Sequence, residues 1–99
     1  MWFKVAKIDD IRSGCPLVET VSGKEIAFFL LEGQIHAIEN KCGHRGGPLA
    51  DGYVESGQVR CPWHAWLFDI RTGQCVNAPG FDQKSFKVKT EAGEVYVEV

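Results

Sequence analysis

Apolar and polar side chains alternate along much of the 99-residue chain, and a period of two is typical of β-strands. The segment WFKVAKI at residues 2–8 shows this alternation and predicts a half-buried strand. The apolar run EIAFFLL at residues 25–31 predicts a buried strand. By the same criteria, further strands are predicted at residues 17–21, 34–40, 58–61, 65–70, 84–90 and 94–99.

Glycine-containing turns separate these segments. Hairpin turns are predicted at Ser22–Lys24, Glu32–Gly33 and Ala92–Gly93. The segment Cys42–Gly57 is rich in glycine and lacks strand periodicity, and no helix is predicted beyond a short turn at Asp9–Arg12. Many short strands with glycine-rich turns predict an all-β sandwich or small barrel.

The length indicates a single domain over residues 1–99, with no room for a second core. Hydrophobic residues make up 44% of the chain and charged residues 24%, close to the globular average, so the chain is expected to fold. The glycine-rich part, at about residues 40–80, looks like an insertion between two blocks of ordinary strands. We therefore predict a subdomain there.

The charge and the apolar runs limit the choice of partners. A formal net charge of −2 disfavours nucleic acid. The longest apolar run, Ile26–Leu31, is far shorter than the roughly 20 residues that span a bilayer. Lys4 and Lys7 interrupt any apolar core of a signal peptide. We expect a soluble, monomeric, cytoplasmic protein without a membrane partner.

Two pairs of soft ligands stand out in the chain. Cys42 and His44 form C-x-H in the stretch CGHRGG, and Cys61 and His64 form C-x2-H in CPWHAW. Neighbouring glycines permit the close backbone approach that an inorganic centre requires. Two disulfides among the four cysteines would suit an exported protein, which is not expected here, so a metal is the better interpretation.

Both zinc and an iron–sulfur cluster accept two cysteines and two histidines. Zinc would take all four in one tetrahedron, but zinc fingers usually group their cysteines and histidines separately around a helix. A [2Fe–2S] cluster of the Rieske type takes two cysteines on one iron and two histidines on the other. The interleaved order in this chain favours a cluster held between two loops, each supplying one ligand to each iron.

The segments CGHRGGPLADGYV and CPWHAWLFDIRTG resemble the two cluster-binding boxes of Rieske proteins, in particular the small Rieske-type ferredoxins. The resemblance implies one [2Fe–2S] cluster bound by Cys42, His44, Cys61 and His64. It also implies three stacked antiparallel sheets with the cluster at one tip, so that residues 40–80 become a cluster-binding subdomain. Pro79 matches the third loop that covers the cluster in this family. Cys15 and Cys75 lie outside the boxes and are expected to be unpaired thiols rather than a disulfide.

The resemblance also indicates a reduction potential. In the high-potential branch of the family an extra cysteine in each box forms a disulfide, and the matching positions here are Gly47 and Trp63. Hydroxyl groups that hydrogen-bond the cluster sulfurs in that branch are replaced by Trp66 and Phe68. Fewer donors stabilise the added electron less, so we predict the low end of the range of roughly −150 to +300 mV known for Rieske centres.

The function implied is one-electron carriage, not catalysis. A Rieske oxygenase needs further histidines for a mononuclear iron, and only His36, expected to be a surface strand residue, remains. We expect the chain to pass electrons from an NAD(P)H-dependent flavin reductase to a terminal ring-hydroxylating oxygenase. The alternatives are a small Rieske-type subunit of a larger reductase, such as a nitrite reductase, and a zinc-stabilised interaction module.

Overall fold

The computed structural model describes residues 1–12, 16–41, 48–62, 66–77, 80 and 82–99. Within these residues the chain forms ten strands and two short 3₁₀ turns, Ile8–Asp10 and Leu49–Asp51. The strands are β1 (Trp2–Lys7), β2 (Leu17–Val21), β3 (Lys24–Leu31), β4 (Gln34–Glu39), β5 (Tyr53–Glu55), β6 (Gln58–Arg60), β7 (Leu67–Asp69), β8 (Ser85–Phe86), β9 (Val88–Glu91) and β10 (Glu94–Glu98).

The strands form three antiparallel sheets. Their orders are β1-β10-β9, β2-β3-β4-β8 and β5-β6-β7. The four-stranded sheet provides a face to each of two hydrophobic cores, so we call it the middle sheet. This architecture confirms the predicted all-β fold of stacked antiparallel sheets.

Strand β3 explains how one sheet serves two cores, because successive side chains of a strand point to opposite faces. Ile26 and Phe28 pack with Val95 and Val97 of β10 in what we call the distal core. Ala27 and Phe29 face the other way, into the ligand-side core with Leu49, Val59, Cys61 and Phe68. Burial on both faces accounts for the continuous apolar run in the sequence.

The predicted hairpins are confirmed by backbone geometry. The two residues of each turn have positive φ, for example 51° and 78° at Glu32 and Gly33, as the tightest hairpins between twisted strands require. Ser56 and Gly57 form a fourth turn of the same kind. It joins β6 to β5, a strand that the sequence pattern did not predict because three residues are too few to show a period.

The segment 84–90, predicted as one strand, is divided between two sheets. Strand β8 pairs with β4, whereas β9 pairs with β10, and Lys87 lies between them. Alternation continues through both strands, so it shows which side chains share a face but not where the chain changes partner. In the described part of the chain, no helix is long and apolar enough to cross a membrane.

Candidate metal centre

Cys61 is the one predicted ligand among the described residues; Cys42, His44 and His64 lie outside them. It directly follows β6 and is 1% exposed. Its backbone N–H donates to the Trp66 carbonyl at 3.0 Å, which joins the two ends of the segment that carries His64. A buried cysteine suits coordination, because a bound metal compensates the cost of burying a thiolate.

The residues on either side of segment 42–47 are also held together. Lys41 and Pro48 form an antiparallel bridge, and the Leu49 N–H donates to the Asn40 carbonyl at 2.7 Å. The segment that carries Cys42 and His44 therefore leaves and rejoins the fold at one place. We call residues 40–41 and 48–50 the first stem.

Asn40 attaches the first stem to the middle sheet. Its side chain is almost fully buried, and its Nδ2 donates to the Glu25 carboxylate of β3. Its Oδ1 accepts the Ala50 N–H at 2.8 Å, and its own N–H donates to the Glu25 carbonyl at 2.9 Å. No feature of the hydrophobic pattern distinguished Asn40, because its role depends on partners that are distant in sequence.

The first stem and the strand leading to Cys61 approach each other closely. Gly52 makes this possible, because a Cβ there would lie 2.1 Å from the Arg60 carbonyl oxygen. Leu49 of the first stem and Cys61 are both fully buried in the ligand-side core. The structure thus brings the flanks of the two predicted boxes together on one side of the middle sheet.

The third loop of the resemblance, with Pro79, lies outside the described residues, but its C-terminal flank is described. Asp82 Oδ1 accepts the Cys75 N–H at 2.8 Å. The Gln83 N–H donates to the Gly73 carbonyl at 2.7 Å, and Gln83 Nε2 donates to the carbonyls of Glu39, at 3.1 Å, and Lys41. No motif or hydrophobic pattern in the sequence distinguishes Gln83.

Trp66 and Phe68 of the second box have no hydroxyl group to donate to a cluster sulfur. Phe68 is completely buried in the ligand-side core, and Trp66 packs against that core. Gly47 and Trp63, the positions of the extra cysteines, lie outside the described residues. Cys75 is buried and forms no disulfide with another described residue, and its thiol lies 3.8 Å from Asn77 Oδ1. Cys15 lies outside the described residues, so the expectation of two unpaired thiols stays a prediction.

His36 lies in β4 opposite Phe29, so the predicted strand is confirmed. The residue is half-buried, so it is only partly at the predicted surface position. Its Nε2 is buried and lacks a hydrogen-bond partner among the described residues. Burial lowers the pKa of His36, the nearby Arg71 lowers it further, and Asp69 opposes both effects.

Comparisons with known proteins agree with this geometry. Residues 1–92 match the Rieske [2Fe-2S] domain family. The ferredoxin component of the naphthalene 1,2-dioxygenase system of Pseudomonas putida is 36% identical over 99 residues, covering 99% of this chain and 95% of its own.

Solved structures share the whole fold. The ferredoxin of carbazole 1,9a-dioxygenase from Nocardioides aromaticivorans IC177 has a TM-score of 0.89 and 27% identity, and the match covers 98% of this chain and 96% of that chain. The ferredoxin in a complex of reduced oxygenase and oxidised ferredoxin in carbazole 1,9a-dioxygenase has a TM-score of 0.86 and 28% identity, covering 97% and 100%. This chain therefore belongs to the Rieske [2Fe-2S] family and binds one cluster of the Rieske type.

Proposed function

We propose that this protein is a one-electron carrier that accepts electrons from an NAD(P)H-dependent flavin reductase and passes them to a terminal ring-hydroxylating oxygenase. The observation that carries the proposal is the match, over nearly the whole of both chains, to separate ferredoxin components of dioxygenase systems. The solved complex of an oxygenase with a similar ferredoxin supports the same direction of transfer. These relatives favour a carrier over a subunit of a nitrite reductase.

We assign the cluster to residues 40–80, as a subdomain within the single domain 1–99. Cys42 and Cys61 would bind one iron, and His44 and His64 the other, because this is the arrangement of Rieske centres. The joined flanks of both boxes and the burial of Cys61 support this assignment. When bound, the cluster supplies a site that gains and loses a single electron.

Residues of the protein around the cluster influence its reduction potential. Phe68 is completely buried in the ligand-side core and has no hydroxyl to donate. A cluster with fewer hydrogen bonds to its sulfurs is harder to reduce, which supports a potential at the low end of the Rieske range. Such a potential suits acceptance from a nicotinamide-linked flavin rather than oxidation of a quinol.

We further propose that the carrier is a cytoplasmic monomer that meets its partners transiently. Cys75 forms no disulfide with another residue in the part of the chain that the structure describes, which supports a reducing compartment, where thiols stay reduced. A carrier must release each partner to reach the next, which small interfaces permit. Sedimentation of the purified protein should give a single species of 11.0 kDa.

The first test is electron paramagnetic resonance of anaerobically purified, dithionite-reduced protein, followed by a redox titration. We expect red-brown protein with a rhombic signal of low average g and a midpoint near the lower end of the family range, roughly −150 mV. Colourless protein containing stoichiometric zinc and giving no signal would contradict both the cluster and the carrier function.

Substitutions then test the ligand assignment. Cys42→Ser, His44→Ala, Cys61→Ser and His64→Ala should each abolish the signal, since a Rieske centre needs all four ligands. His36→Ala is the matched control, because His36, in β4, is the one histidine of the three that is not a predicted ligand. Retention of a normal Rieske signal in any of the four ligand variants would contradict that residue's assignment.

A further inference from the structure

The buried side chain of Gln83 forms hydrogen bonds to two backbone carbonyls in the segment that leads to the first box. The residue is 6% exposed, one of the few buried polar residues in the described part of the chain. Its Nε2 donates to the Glu39 carbonyl at 3.1 Å and to the Lys41 carbonyl. One amide nitrogen therefore fixes the last residue of β4 and the residue immediately before Cys42.

The Lys41 carbonyl is part of the peptide group that joins Lys41 to Cys42. A peptide group is planar, so a donor that holds the Lys41 carbonyl also fixes the orientation of the peptide plane that leads into the first box. Between Glu39 and Lys41 in sequence lies Asn40, whose own hydrogen bonds attach the first stem to β3. Gln83 thus holds the residues on either side of Asn40, while the contacts of Asn40 hold the residue between them.

The backbone of Gln83 joins two further segments. Its N–H donates to the Gly73 carbonyl at 2.7 Å, and Gly73 in turn donates to the Asp69 carbonyl of β7, a strand within the second box. The contact is close, because a Cβ on Gly73 would lie 2.1 Å from the Gln83 carbonyl oxygen. In sequence, Gln83 comes four residues after Pro79 of the third loop.

We propose that Gln83 is a positioning residue for the cluster. It links the residue before the first box, the turn at the end of the second box and the flank of the third loop. This inference rests on the proposed assignment of Cys42 as a ligand. Because its amide hydrogen bonds orient backbone next to that ligand, Gln83 affects cluster retention and cluster geometry more than it affects global stability. A substitution of Gln83 should therefore change cluster retention and the cluster spectrum more than an ordinary substitution in a buried core does.

The test compares Gln83→Met, which keeps the length of the side chain but removes both donors, with two controls. Gln74→Met makes the same chemical change on an exposed residue of the neighbouring turn. Val95→Ala removes buried volume from the distal core, away from the ligand-side core, and provides a variant that is destabilised elsewhere. For each loaded protein, the unfolding temperature, the visible circular dichroism of the oxidised cluster and the rate of cluster loss to a chelator are measured.

We expect Gln83→Met to lose its cluster about tenfold faster than the wild type, as the removal of one or two hydrogen bonds would allow, and to show altered visible circular dichroism. Val95→Ala and Gln74→Met should keep the wild-type spectrum. If Gln83→Met does not fold, Gln83→Asn, one methylene shorter, provides the same comparison. The proposal is overturned if the Gln83 variant keeps the wild-type spectrum and loses its cluster no faster than Val95→Ala.

If the proposed function is wrong, the experiment gives a different outcome from the one that overturns the positioning role alone. In that case the wild-type protein itself would hold no Rieske cluster, and its spectrum would be absent before any variant is compared. A loaded wild type together with an unaffected Gln83→Met would overturn the positioning role alone.

Discussion

His36 places a titratable ring in β4 of the middle sheet, close enough to Asp69 and Arg71 for their charges to affect it. The charged groups that act on it are Arg71 and Asp69, and burial has the largest effect on its pKa. Because the pKa is lowered from 6.5, the unfolded chain binds a proton more readily than the folded protein just below that pH. The contribution of His36 to stability is therefore complete above about pH 6.5 and is lost as the pH falls below it.

The lowered pKa of His36 predicts how His36→Gln changes the pH dependence of stability. The free energy of unfolding of the wild type should fall more steeply between pH 7.5 and pH 5.5 than that of the variant, because glutamine does not titrate. Urea unfolding at both pH values, with both proteins loaded, measures the difference. Parallel pH profiles would show that His36 has the same proton affinity in the folded and unfolded states.

Candidate metal ligands were easier to predict from the sequence than the residues whose hydrogen bonds fix the backbone near them. Cys61 was identified because cysteine and histidine at close spacing are rare and chemically specific. Asn40 and Gln83 were not identified, because asparagine and glutamine are common and their hydrogen-bond partners are set by the tertiary fold. Sequence chemistry therefore identified Cys61 as a predicted ligand, whereas the contacts that hold the neighbouring backbone follow from the tertiary fold.

At the scale of elements, β3 connects the two cores of the molecule. Phe28 and Phe29 are adjacent in sequence, fully buried and of the same type, yet they face the distal core and the ligand-side core respectively. The pair allows packing near the ligands to be compared with packing far from them within one strand.

Phe28→Leu and Phe29→Leu should each lower the free energy of unfolding by about 1–2 kcal/mol, since each leaves a small cavity in a packed core. Only Phe29→Leu should also change the visible circular dichroism of the loaded protein, because Phe29 shares its core with Leu49 and Cys61. Thermal unfolding and visible spectra of both variants test this. Equal spectral changes would show that the two cores are not independent of each other.

Elements marked by local chemistry were predictable, and elements defined by distant pairing were less so. The turn at Glu32–Gly33 was predicted because two consecutive positive φ values favour glycine. Strand β5 was missed because its three residues become a strand only by pairing with β6. The boundary between β8 and β9 was missed because the change of sheet leaves the alternation intact.

The whole molecule is an asymmetric arrangement of three sheets about two cores. The sheet β1-β10-β9 has strands of four to six residues, whereas β5, β6 and β7 have three residues each. The short strands adjoin the flanks of both predicted boxes, and Cys61 directly follows β6. Strands this short form few hydrogen bonds of their own, so the sheet β5-β6-β7 should depend on its surroundings for stability.

Removal of the cluster should therefore loosen the molecule on one side. A ligand that binds only the folded state stabilises the units it contacts, so the loss should concentrate where the ligands are. In hydrogen exchange followed by mass spectrometry, peptides over residues 53–60 should exchange about tenfold faster in the metal-free protein. Peptides over residues 94–98 should change little, because Val95 and Val97 remain packed in the distal core. Equal loss of protection in both regions would instead show that the sheets unfold as one cooperative unit whose stability depends on the cluster throughout.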